Sequence, residues 1–284
     1  MSMTARFATR LGVACTALLA LSGFTLMGCG GGGSSDTSDI TSLTSDTTRA
    51  TETGTEQTAT ATAALEPLMY ATESEQDGRS RQEAAYPIVT VERGGGQTTV
   101  TVDYGTTPIT TTGGRTVSGT FAINFNKTDR VGTVTYNNFT VNGHSVTGTA
   151  TLSNLSVSKE SFSATVAEDL TFSNYGHVTG TFSLAVTRGT GVLTIPTGSL
   201  SVTPHSSTTT YSLGLDSLVM DYKTNGNFIP QSGKTTIQYV TTVVNLPITT
   251  NLVVTFNSES PVNGKVDVSV NGASSLPYTL PRFQ

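Results

Sequence analysis

Few residues of this 284-residue chain have the types and spacing that chemistry requires. His144 and His177 stand beside comparable glycine turns, an arrangement that could bring both to one end of a sheet as a metal pair. Two histidines without a third ligand make a poor site, so they are the only metal candidates and read more simply as polar residues beside exposed turns. His205 follows Pro204 in a Ser/Thr stretch and reads as loop. Gly143-His144-Ser145-Val146-Thr147 approaches the nucleophile elbow G-x-S-x-G but ends in Thr, and no helical pattern follows it, as that turn demands. Asp221 and Gly226 hold the first and sixth places of a calcium loop, whereas Lys223 and Ser232 supply neither the acceptor nor the bidentate carboxylate expected at the third and twelfth. A hairpin turn at Asn225-Gly226 explains that segment better.

Glycoside hydrolysis needs two carboxyl groups across one cleft. Glu168 and Asp169 are adjacent, and neighbours on a strand point to opposite faces, so they cannot serve one cleft. Asp216 and Asp221 differ by an odd number and face apart in an unbroken strand. All four are expected as solvated surface acids. Tyr104, Tyr136, Tyr175, Tyr211, Tyr222 and Tyr239 could form a sugar-stacking platform, but most fall in an alternating pattern and read as half-buried sheet residues. The chain has no phosphate loop, dinucleotide fingerprint or basic cluster, and a net charge of -5, so nucleotide and nucleic-acid partners are unsupported. No catalytic residue and no cofactor is assigned.

The elements that must position these residues are strands. Charged residues are only 12% of the chain and Trp is absent. Thr, which favours strands and keeps an exposed face wet, is abundant. From Tyr86 onward apolar residues alternate with Thr, Ser and Asn, as in Val100, Val102 and Tyr104, in Phe121, Ile123 and Phe125, and in Leu252, Val254 and Phe256. That period of two marks strands with one buried face. Segments 117–123, 146–152 and 178–184 read VSGTFAI, VTGTATL and VTGTFSL. A second pattern appears in VTYN at 134–137, LTFS at 170–173 and VTFN at 254–257. A unit of about 30 residues fits two strands of eight to ten residues with their turns, so successive units add hairpins to an antiparallel meander. Asn142-Gly143, Asn225-Gly226 and Asn263-Gly264 are hairpin signals, because both residue types accept positive φ. The expected fold is all-β: a long antiparallel meander of repeated hairpins, forming a curled sheet, a sandwich or a partly open barrel. A transmembrane barrel is disfavoured by the 7% aromatic content.

The first residues differ in kind. Arg6 and Arg10 precede an apolar, uncharged run over 11–27, the order of a secretory signal and short for a membrane span. The run ends at Leu26-Met27-Gly28-Cys29, which resembles the bacterial lipobox. The resemblance implies cleavage before Cys29 and its lipidation, with membrane lipid as a partner. Two or more acyl chains give stable attachment. Gly30, where an Asp would favour inner-membrane retention, favours the outer membrane in a host that has one. Cys15 reads as a discarded signal residue, so the mature domain has no thiol left for disulfides. Residues 1–28 are therefore expected as the signal peptide. Residues 29–64 are expected as lipidated Cys plus a flexible Gly/Ser/Thr tether reaching roughly 30–35 Å. Residues 65–85 are expected as a linker compatible with a short helix near Pro67, and 86–284 as the β domain.

Tyr86-Pro87-Ile88-Val89-Thr90-Val91, Val100-Thr101-Val102-Asp103-Tyr104-Gly105, Gly114-Arg115 and Ser118-Gly119-Thr120-Phe121 together resemble a group of β-rich bacterial lipoproteins of unknown function. The resemblance covers roughly 86–154. In that group a Cys precedes the Pro and another follows Asp-Tyr-Gly; both are missing here, as a lost disulfide would be. It implies no activity and carries over no catalytic residue. The expected function is a non-enzymatic structural or interaction module anchored in the cell envelope, whose further partner is an envelope glycan, lipid or protein. The alternatives are a lipid- or glycan-binding carrier using a concave sheet face and, further off, a polysaccharide-acting enzyme.

Overall fold

The structure, a computed structural model, describes residues 48–51, 87–110, 116–158, 160–173, 176–205, 209–221, 224, 228–243 and 246–280. The lipobox residues Leu26, Met27, Gly28 and Cys29, the linker 65–85, Tyr86, Tyr175 and Tyr222 lie outside them.

The described chain is one antiparallel sheet of 14 strands. It opens with β1 (Ile88–Gly94), β2 (Gln97–Asp103), the short β3 (Ile109–Thr110) and β4 (Thr116–Asn126). The long central strands are β5 (Val131–Val141), β6 (His144–Val157), β7 (Ser161–Phe172), β8 (Gly176–Thr187) and β9 (Val192–Thr203). β10 (Tyr211–Asp221), β11 (Ser232–Val243) and β12 (Leu246–Phe256) follow. A single helical turn, α1 (Ser260–Asn263), then leads into β13 (Lys265–Val270) and β14 (Leu276–Thr279). Apart from β3, which pairs with β4 beside the main path, spatial order follows chain order, the meander that the repeats imply. The three VxGTxxx segments fall on β4, β6 and β8, so the repeating unit is one hairpin. The strands from β4 to β12 run 11 to 14 residues, longer than expected, because bulges let pairing continue past irregularities.

Every strand from β4 to β12 buries one face. On β7 the inward positions are Phe162, Ala164, Val166, Glu168, Leu170 and Phe172, all buried. They join one continuous apolar cluster extending from Val89 to Leu280. Among the described residues no second sheet covers that face, so the sheet must curl over its own apolar side to exclude water. It does not close into a barrel: β1 and β14 remain separate edges. The curled sheet is thus the realised one of the expected architectures, and a sandwich of two sheets is not.

Asn225-Gly226 lies outside the described residues; between the end of β10 and the start of β11, Phe228 and Ile229 tuck into the core. One turn expectation is corrected. Asn263-Gly264 ends α1 instead, Gly264 taking φ 72° as a left-handed cap whose N–H donates to the Ser260 carbonyl. Asn142-Gly143 is a two-residue hairpin as expected, with φ of 52° and 78°. Within the expected tether, residues 48–51 form a helical turn, and its Ala50 and Thr51 are buried, Ala50 as part of the core cluster.

Candidate functional site

The alternation of β7 places one ionisable side chain in the core. Glu168 is 4% exposed, and neither carboxylate oxygen has a hydrogen-bond partner. Its cross-strand neighbours are Ala150 on β6 and Gly180 on β8, so no side chain larger than a methyl stands directly beside it in the ladder. Loss of water, with no compensating donor, pushes its carboxyl up to about 8. At neutral pH the group is therefore largely an uncharged acid, able both to donate and to accept.

Tyr136 belongs to an aromatic cluster on β4 and β5. Tyr136 on β5 meets Phe121 edge-on at 5.6 Å between ring centroids and Phe139 at 5.7 Å, and Tyr104 lies 6.0 Å from Phe139. Burial first, and the Glu168 carboxyl second, push the Tyr136 phenol above its ordinary value, so the two groups sense each other across the interior. Tyr136 itself is half-buried. The β5–β6 ladder lapses there, breaking after Thr135↔Thr149 and resuming at Thr140↔Ser145, with Asn138 at φ 48° in the bulge. The lapse is confined to the β5–β6 pairing: Tyr136 and Asn137 stay paired with Phe121 and Thr120 of β4, and β6 stays paired with β7.

The other candidates fall on surfaces. Asp169 faces outward, as the alternation requires, and its Oδ1 lies 2.7 Å from His177 Nε2. The expectation of solvated acids holds for Asp169 and fails for Glu168, whose position is in phase with the apolar row. His144 pairs with the buried Val141 and so lies on the inner side at the rim, whereas His177 pairs with Thr171 on the outer side. Opposite faces exclude the two as a metal pair, and no group of three or more metal-ligating side chains occurs among the described residues. His205 Nε2 lies 3.1 Å from the Phe172 carbonyl. Ser145 sits in the second position of β6, on a continuous strand and not on an elbow.

Asp216 and Asp221 are corrected in orientation but not in role. The bulge at Ser217, φ 54°, inverts the alternation between Leu215 and Leu218, so both acids point outward. Along the strand they are nevertheless about 15 Å apart, too far for a glycosidase pair. Asp216 accepts from Ser217 and pairs with Lys234 at 3.1 Å, and Asp221 accepts from the Thr224 N–H. Of the tyrosines, Tyr104, Tyr211 and Tyr239 are buried in the core, so they offer no exposed sugar platform.

Glu168 was legible in principle. Reading 162, 164, 166, 170 and 172 as one inward row puts 168 inside it; weighing Glu168 only against Asp169 hides this.

Fold and site together define an all-β protein: a single, open, rolled meander with one buried, unpartnered acid in the apolar row of β7. No family model matches the chain, and neither a curated protein nor a solved structure does.

Proposed function

We propose that this chain is a lipid-anchored module of the cell envelope, a non-enzymatic β domain held at a membrane through Cys29 and acting by binding or scaffolding, with the outer membrane as its site in a host that has one. The observation that carries the reading is Leu26-Met27-Gly28-Cys29 at the end of an uncharged apolar run, ahead of a domain built wholly of β meander. Metabolic labelling with a clickable fatty acid tests it. Label and membrane fractionation should both be lost in Cys29→Ala; an unlabelled wild type released from membranes overturns the anchor.

A second reading, a carrier for a small amphiphile, is favoured by Glu168. A structural core has no use for a buried carboxyl without a partner, which costs stability. A ligand that completes its hydrogen bonding gives the group a use.

A further inference from the structure

Resting on the carrier reading, we propose that the interior beside Glu168, flanked by Ala150 and Gly180, binds the ammonium group of an amine with an apolar body. Three observations converge on that chemistry. Both Glu168 oxygens lack partners, so an incoming donor displaces no existing bond. The positions directly beside it in the ladder, Ala150 and Gly180, carry a methyl and a hydrogen, so no bulky side chain there blocks a donor's approach to the acid. The rest of the surrounding core is aliphatic and aromatic, suited to an alkyl or aryl body and not to a sugar. The way in is between β5 and β6, where their pairing lapses from Tyr136 to Phe139, at the half-buried ring of Tyr136.

The ammonium also changes the charge of the site. Glu168 is largely protonated at pH 7 when no cation is present. The neighbouring rows contribute Ala150 and Leu152 from β6 and Val178, Gly180 and Phe182 from β8, none of which titrates. From β5 the titratable neighbour is Tyr136, itself held neutral. An arriving cation therefore ionises Glu168: the carboxyl O–H bond breaks, its proton leaves to solvent, and the carboxylate accepts from the ammonium. No other group is positioned to take that proton.

Calorimetric titration of the full chain in lipid nanodiscs, against empty discs, with octylammonium and with octanol as its uncharged counterpart, tests the assignment. Run at pH 7 in two buffers of different ionisation enthalpy, octylammonium should bind saturably, at least about tenfold tighter than octanol, and release close to one proton. Glu168→Gln should lose the proton release and at least about tenfold of the amine affinity while keeping a cooperative unfolding transition. If that variant does not fold, proton release by the wild type alone decides. Octanol binding as tightly as octylammonium, without proton release, overturns the ammonium assignment and leaves the carrier reading standing. Failure of both probes to bind overturns both.

Discussion

Glu168 is the residue at which stability and function pull apart. Unfolded, its carboxyl titrates near 4.5; folded, burial moves it to about 8. Folding thus favours the protonated form, and the sign of the linkage follows: stability is fully kept below about pH 4.5 and lost as pH rises through 8. A shift of that size corresponds to roughly 3–5 kcal/mol. Denaturant unfolding measured from pH 5 to pH 8.5 should show wild-type stability declining by several kcal/mol. Glu168→Gln should flatten the profile and be the more stable protein at the alkaline end. A wild-type profile as flat as the variant's would mean the carboxyl meets water or a donor. Asp216 and Glu259 act with the opposite sign. Ser217 and Lys234 hold Asp216 below the usual carboxylate range, and Lys265 and Asn263 do the same for Glu259, so their contribution is lost only as pH falls through those lowered values. Both lie at the surface, where solvent screens the effect.

At the scale of elements, the repeated glycines and bulges set the pairing. A Cβ on Gly148 would lie 2.1 Å from the Asp169 carbonyl oxygen, and one on Gly119 equally close to the Asn138 oxygen. The repeat keeps glycine at these places because the next strand's backbone occupies the space. Gly148→Ala is expected to cost about 2–4 kcal/mol, through both the clash and the φ of 111°, and a urea midpoint checks it. The hairpin between β5 and β6 depends on Asn142. Its backbone N–H donates to the Thr116 carbonyl and its Oδ1 accepts from the Thr116 N–H, stitching β4 to the turn. Asn142→Ala loses that acceptor and strains a φ of 52°, for about 1–2 kcal/mol by the same measurement. His177→Ala, by contrast, removes only an exposed contact with Asp169 and should change stability by less than about 0.5 kcal/mol.

Across the whole molecule, the core is assembled by a single sheet curling on itself, with Ala50 from far upstream joining the same cluster. Ala50→Asp forces a charge into that cluster and should lower the unfolding midpoint by several degrees, whereas removal of the acyl attachment in Cys29→Ala should leave it unchanged. The two variants separate burial of the upstream segment from anchoring. An Ala50→Asp protein as stable as wild type would show that the turn at 48–51 peels away without cost. β1 and β14 stand as open edges of the sheet, which a closed barrel would lack.

The amino-acid sequence by itself determined the strands, their meander order and the hairpin repeat. Those features depend on local alternation, on the Asn142-Gly143 turn and on similarity between segments, all written along the chain. It also determined that Asp169 faces away from Glu168. Only the tertiary structure decided that the sheet curls without closing, that the bulge at Ser217 turns Asp216 and Asp221 to one face, and that the ladder lapses beside Tyr136. The physical reason is that burial and register are properties of neighbouring strands. A single-residue bulge reverses every side chain beyond it, and the partner strand, absent from any local window, determines where the bulge falls. The inward position of Glu168 can be read from its own strand, but that its carboxyl finds no partner there depends on the neighbouring strands, which place Ala150 and Gly180 beside it.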